Sequence, residues 1–411
     1  DNKSEEEDEE ERNEEKKKKR RKKKDKRKTN KTTTKSDHID YILPFLVPQL
    51  LLQFAANSNS LTTKIDRIRE KLTNLTLNML KPDDHRTVIV CKHLILRAPE
   101  KSHLRKAVAQ SIFKFSKSSM HIKEIINFTI RASKTTKIGT RSFSSLLIQL
   151  FLTNISEISQ LFGDDCSEIV ISLSNVLRRQ IIDQAPTVRS NALEGISQII
   201  EGNSISGNPF GQIITNVIDS NGFLELSLTQ RICDEKLIVR RSALLCVGQM
   251  IQSDFKLSRP HKENDDQNGD SKNDDFDNFN FLIDLVASRT RDRAVSMRQL
   301  AIRLLDSTLS TYKNDEFVHL IWLDSVLPLI VDPENSVQKE ALDSVTNNFL
   351  NPIISGEPEI FTSIMKQNHF DFMKNVFSLY KQKSISLAKI SKALTKKLKV
   401  MKLVDSKDDT Q

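Results

Sequence analysis

The chain has 411 residues, 28% of them charged and 6% aromatic, with only 10 Gly, 11 Pro and one Trp. That length allows two or three globular domains or one continuous repeat array, and the scarcity of Gly and Pro fits helices joined by short turns. The formal net charge of +9 is uneven: residues 1–35 hold 16 Lys+Arg against 11 Asp+Glu, which leaves the remainder near +4 and excludes a uniformly basic surface.

Residues 1–36 form a low-complexity acidic and basic tail. Glu5 to Glu11 is wholly acidic; Lys16 to Lys28 is Lys or Arg at every position except Asp25. Such a block cannot bury apolar surface and is expected to be disordered. Lys16, Lys17, Lys18, Lys19, Arg20, Arg21, Lys22, Lys23, Lys24, Lys26, Arg27 and Lys28 read either as a nuclear import signal or nucleic-acid arm, or as a solvated linker neutralised by its own acidic block. No signal peptide is seen. The longest apolar run, Ile42 to Leu52, holds two Pro and a Gln and falls short of the ~20 residues of a membrane span, so no membrane partner is expected. The first residue is Asp rather than Met, which fits a portion of a longer protein.

Residues 37–160 read as degenerate helical repeats. Leu61, Ile65, Ile68, Leu72, Leu75 and Met79 draw an amphipathic stripe that Pro82 ends. Helices follow at about 85–98, 101–117, 121–133 and 141–160. Leu104-Arg105 with Val108 and Ile112, and Thr140-Arg141 with Ser144, look like second helices of worn repeats.

Clear repeats occupy 161–355. Asp183-Gln-Ala-Pro-Thr-Val-Arg-Ser-Asn-Ala-Leu193 recurs in form at Asp234 to Leu244, Asp292 to Ile302 and Asp332 to Leu342. Counting Val188, Val239, Met297 and Val337 as zero, apolar residues return at 0, 4, 5, 8 and 12, a stripe on a 3.6-residue helix. The central Ala (Ala192, Ala243, Ala301, Ala341) permits close helix approach, and Pro186 and Pro333 stand at or just before the helix start. The intervals between these zero positions are 51, 58 and 40 residues. The 58 contains a polar, acidic insertion at about 260–278, read as a solvated disordered loop because it lacks the closing Glu of a calcium loop. A period near 40 with two helices per unit predicts an all-α solenoid of HEAT or armadillo type, made of stacked antiparallel helix pairs. Residues 356–404 add further helices, the last basic, before a tail at 405–411.

The repeated Asp and Arg are read as structural. An Asp in the inter-helix turn can cap the second helix and pair with an Arg of its own or the next repeat. The rungs would be Asp183, Arg189, Asp234, Arg240, Asp292, Arg298 and Asp332, and Gln338 in place of Arg would weaken the fourth. Candidate phosphate contacts are Arg178, Arg179, Arg241, Arg291 and Arg293 near the turns, with Lys392, Lys396, Lys397 and Lys399 on the last helix. No HExxH, GxxxxGK, GxGxxG or GxSxG occurs, so no catalytic residue, metal site, cofactor or small-molecule substrate is expected. Four Cys without a CxxC pair fit reduced core thiols of an intracellular protein.

These residues resemble a known family. Asp183 to Leu193, Arg231 to Leu244, Arg291 to Ile302 and Trp322 to Leu342 look like the HEAT motifs of the large D-type regulatory subunit of condensin II, and His93 to Lys101 is similar too. The departure at Gln338 is shared with that family. The resemblance covers about 85–380, a part of much longer proteins. It implies a non-catalytic scaffold that binds the kleisin subunit, works with SMC ATPases, and contacts DNA or chromatin, histones included, in the nucleus and on mitotic chromosomes. Other HEAT scaffolds, such as nuclear transport receptors and phosphatase scaffolds, are the alternative. No Pro follows Ser or Thr, so proline-directed phosphorylation has no minimal site here.

Overall fold

The computed structural model describes residues 46–47, 49–51, 62–100, 102–206, 209–253, 255, 271–313, 315–352 and 387–408. Lys16 to Lys28 lie outside these, as do all of 356–386. The described residues are helical throughout and contain no strand. The chain divides into two compact units, Asp1–Leu150 and Phe151–Gln411.

The first unit contains α1 (Thr62–Met79), α2 (Arg86–Leu96), α3 (Ser102–Lys117), α4 (Ile122–Ala132) and the start of α5 (Ile138–Thr153). α2 packs against α3 and α4, and α1 against α3. Leu94, Ile95, Ile112, Phe115, Ile122, Ile125 and Ile126 form the core. The α1 stripe corrects the simplest sequence expectation. Thr73, Thr76 and Leu80 are buried, whereas Ile68, Leu75 and Met79 face solvent. Thr73 Oγ1 and Ser111 Oγ of α3 are hydrogen-bonded at 3.0 Å, so this helix turns a hydroxyl face toward its neighbour.

The second unit begins at the end of α5 and a short helical turn, α6 (Ile155–Ile158). It continues with α7 (Cys166–Gln180), α8 (Pro186–Ser206), α9 (Gly211–Ile218), α10 (Phe223–Ile232), α11 (Leu237–Gln252), α12 (Ser271–Ser288), α13 (Val295–Thr311), α14 (Glu316–Val326), α15 (Asn335–Val345) and α16 (Leu387–Asp408). Consecutive helices pair as α7–α8, α10–α11, α12–α13 and α14–α15. Short turns between partners make each pair antiparallel. The second helices pack side by side in the order α8, α11, α13, α15. The result is an all-α solenoid of stacked helix pairs.

Burial follows the repeat pattern. All the residues at 0, 4, 5, 8 and 12 of the first three repeats are buried, and in the fourth Val337, Ala341 and Val345 are; Leu342 and Phe349 are half-buried. The small side chains set the spacing between helices. At Gly248 of α11 an added Cβ would meet Leu304 Cδ2 of α13 at 2.6 Å.

The uneven intervals have local causes. α8 runs 21 residues, and α9 is inserted before α10, joined to it through Asn221 and Gly222 in the left-handed region. Gly222 needs no Cβ-compatible backbone there. The acidic insertion is shorter than expected: α12 starts at Ser271, inside the predicted loop of 260–278. Once Leu282, Ile283 and Val286 are anchored, each residue added to the helix gains one hydrogen bond for the one residue fixed, with no new nucleation to overcome. Cys91, Cys166 and Cys246 are buried, but Cys233, at the C-terminal end of α10, is exposed. A helix end in a surface turn has no core to fill.

Candidate functional site

The turn before each second helix of the second unit is built alike. Asp183, Asp234, Asp292 and Asp332 each accept, at Oδ1, the N–H two residues on: Ala185, Lys236, Ala294 and Glu334, at 2.8, 3.0, 2.9 and 2.9 Å. This is an Asx turn rather than a helix cap. Lys236, Ala294 and Glu334 stand at the N-cap positions with extended backbone and no side-chain cap bond. The expected capping by Asp therefore gives way to bracing of the turn one step earlier.

The arginine of each repeat joins two turns. Arg189 Nη1 donates to the main-chain oxygens of Asp183 and Gln184 at 2.8 and 3.0 Å, and Nη2 donates to Asp234 Oδ1 at 2.9 Å. Arg240 Nη1 donates to the Asp234 and Glu235 carbonyls at 3.0 and 3.1 Å, while Nε and Nη2 fork onto both oxygens of Asp292 at 3.0 Å each. Arg298 Nη1 donates to the Asp292 carbonyl at 2.8 Å and Nη2 to Asp332 Oδ1 at 2.9 Å. Gln338 Nε2 donates to the Asp332 carbonyl, keeping the backbone half of the contact without the charge.

The rungs differ in quality. Arg240 and Asp292 are both about 5% exposed or less, and their fork is the strongest geometry for such a pair. Arg189 and Arg298 reach their acid through one nitrogen each, and their buried Nε atoms have no hydrogen-bond acceptor. A second arginine three residues upstream adds to two of the acids: Arg231 to Asp234 at 3.1 Å and Arg289 to Asp292 at 3.6 Å. Burial alone would push the Asp234 carboxyl up. The bonds from Arg189 and the Lys236 N–H, with the charges of Arg189 and Arg231, outweigh it and hold the carboxyl below the usual range.

The first unit carries a variant of the same contact, which the worn motifs only hinted at. Arg141 Nη1 donates to the Thr135 and Thr136 carbonyls at 3.0 and 2.8 Å. Arg105 Nη2 donates to the Glu100 carbonyl at 3.0 Å, and its Nη1 to Ser142 Oγ at 2.7 Å. The available signal was an Arg directly after position zero; the hydroxyl acceptor in place of Asp left none.

The candidate phosphate residues divide into engaged and free. Arg178 donates to the Ser220 carbonyl at 3.1 Å and lies over the Phe223 ring at 4.5 Å. Arg291 faces Asp324 at 3.6 Å, and Arg293 donates to the Glu235 carbonyl at 3.0 Å while staying exposed. Arg179 and Arg241 are exposed. On α16, which packs against Leu327–Val331 with Ile390 buried, Lys397 pairs with Asp343 at 3.5 Å. Lys392, Lys396 and Lys399 are exposed. Among the described residues no cluster of His, Cys, Asp and Glu could hold a metal ion, and no helix is long and apolar enough to cross a membrane.

Paired helices, a shared second-helix layer and Asp–Arg rungs between successive turns define a HEAT-type helical-repeat scaffold. No family model matches the chain. Its curated relatives are subunits of one complex. It is 24% identical over 266 residues to condensin-2 complex subunit CAP-D3 of Arabidopsis thaliana, covering 61% of this chain and 18% of that protein. It is 23% identical over 332 residues to condensin-2 complex subunit D3-L of Xenopus laevis, covering 64% and 20%. The resemblance to the D-type subunit of condensin II thus extends beyond the repeat motifs, and the chain spans about a fifth of the length of these relatives. Similar solved structures include a designed armadillo repeat protein in complex with a (KR)4 peptide, with TM-score 0.38, 11% identity, and coverage of 74% of this chain and 99% of that one. Another is the Pds5–Scc1 complex, with TM-score 0.28, 12% identity, and coverage of 78% and 61%.

Proposed function

We propose that the chain is a segment of a non-catalytic scaffold subunit of condensin II, which holds the kleisin subunit, works beside SMC ATPases and contacts DNA in chromatin. The alignment with the two D3 subunits carries this reading. The rung architecture is consistent with it, because buried Arg–Asp pairs that lock successive turns suit a rigid support rather than a reaction centre. On this reading the protein is nuclear and chromosomal, with Lys16 to Lys28 as its import signal. Histones are a further chromatin ligand to be tested.

The test is affinity purification of the full-length protein from dividing cells. Recovery of a kleisin and two SMC ATPases in equal amounts supports the assignment. Recovery of a small GTPase or a phosphatase catalytic subunit instead would replace it with another HEAT scaffold.

DNA contact is assigned to the exposed cations: Arg179, Arg241 and Arg293 near the turns, of which Arg293 also donates to the Glu235 carbonyl, and Lys392, Lys396 and Lys399 on α16. Each phosphate contact contributes about one unit to the slope of log affinity against log salt. Charge reversal of Lys392, Lys396 and Lys399 should flatten that slope by ~2–3 on a short duplex. An unchanged slope removes α16 from the interface.

A further inference from the structure

The outward face of α1 has no role in the scaffold described so far. Ile68, Leu72, Leu75 and Met79 follow one another at spacings of 4, 3 and 4, and Ile65 and Leu61 continue the same alternation upstream in the sequence. That spacing draws the narrow seam of a helix that meets another helix along its length. Ile68, Leu75 and Met79 are 41%, 56% and 55% exposed. Met120, 72% exposed, is brought toward the Met79 end, since its N–H donates to the Pro82 carbonyl at 2.9 Å. Flexible methionines at the end of an apolar seam suit an incoming helix of irregular shape. The adjoining side of α1, one residue on from each of the last three seam positions, is already committed to α3: Thr73, Thr76 and Leu80 are buried, and Thr73 bonds Ser111.

The flank of the seam says what should cover it. Arg67, Lys71, Asn74 and Asn78 run beside it at the same spacings of 4, 3 and 4, and all four are exposed. This row holds two cations and no carboxylate. A second copy would bring the same row and give those cations no anion. A membrane surface would call for a broad apolar face and many cations, whereas this seam is one residue wide and the row along its flank carries two. We infer that α1 is the docking face for an amphipathic helix of a partner protein, with apolar residues at 3–4 spacing and Asp or Glu at the positions flanking them.

The inference is tested on the full chain with two labelled peptides of about four heptads, both with Leu at the core positions. One carries Glu at the flanking positions and the other Lys. Fluorescence anisotropy should show saturable binding of the Glu peptide and little of the Lys peptide. Leu75→Glu combined with Met79→Glu should weaken binding at least about tenfold. Lys71→Glu should weaken the Glu peptide and strengthen the Lys peptide. These side chains are exposed, so thermal melts of the variants should match the parent and separate lost docking from lost folding. Several results would overturn the inference: no saturation by either peptide, equal binding of both, or affinity indifferent to the substitutions. Two others reassign the seam. Sedimentation showing a dimer that the double variant abolishes gives it to a second copy, and flotation with anionic vesicles lost in that variant gives it to a membrane.

Discussion

Arg240 gathers four acceptors from two different turns: the carbonyls of Asp234 and Glu235 behind it and both carboxylate oxygens of Asp292 ahead. Replacing it by Ala would leave the buried Asp292 charge with only the longer contact to Arg289 and the Ala294 N–H, and breaking a buried pair costs up to about 3–5 kcal/mol. Gln338→Ala removes one neutral bond, at about 1 kcal/mol. Urea denaturation should therefore rank Arg240→Ala as much the more damaging. The acid limb has its own probe. Asp234 is held below the ordinary carboxylate range in the folded chain, so its contribution is present above about pH 4 and is lost as pH falls through the depressed value. Asp234→Asn should lower stability at neutral pH and flatten its decline below pH 4, as thermal melts across that range would show. The Asp and Arg columns were legible in the sequence because a repeat keeps them in fixed places. The direction of reach was not, since partners lie 45, 52 and 34 residues apart at distances set by the helices between them.

Among the elements, α1 shows what periodicity can and cannot give. The spacing of Ile68, Leu72, Leu75 and Met79 specifies a helix with one apolar face, but nothing in the spacing says which neighbour takes it. The structure gives α3 the threonine side instead. The α13–α15 packing holds a second feature hidden from sequence, because its members are scattered. Asp306 Oδ1 accepts from Trp322 Nε1 at 2.7 Å, Ser344 Oγ at 2.6 Å and Asn348 Nδ2 at 3.1 Å. Burial pushes the Asp306 carboxyl up, and the donors from Ser344, Trp322 and Asn348 offset only part of it. A carboxyl raised on folding is unpenalised below its unfolded pKa, near 4, and loses stability as pH rises through the folded value. Asp306→Asn keeps an oxygen for the three donors without the charge. Its melting temperature relative to the parent should therefore improve from pH 4 to pH 7, and a constant difference would contradict the buried-carboxylate account.

For the whole molecule, the rungs connect nearest neighbours only, so cooperativity in the second unit travels from one repeat to the next. Arg240→Ala should do more than shift the urea midpoint. Cutting the strongest link between the α10–α11 and α12–α13 pairs should lower the m-value or split the transition, whereas a parallel shift would mean that apolar packing alone couples them. The all-α repeat architecture was legible because four copies of one motif reinforced each other. The intervals of 51 and 58 residues were less so: α9 and the forward extension of α12 are private to single repeats and have no second copy to expose them. The forward reach of each arginine also has a consequence for biosynthesis. Arg240 leaves the ribosome 52 residues ahead of Asp292, and Arg189 and Arg298 likewise precede their acids, so each of these three repeats when newly made presents a cation whose counter-charge has not yet been translated. Among the described rungs, each arginine is therefore completed only by the repeat that follows it, whereas Gln338 leaves no charge waiting.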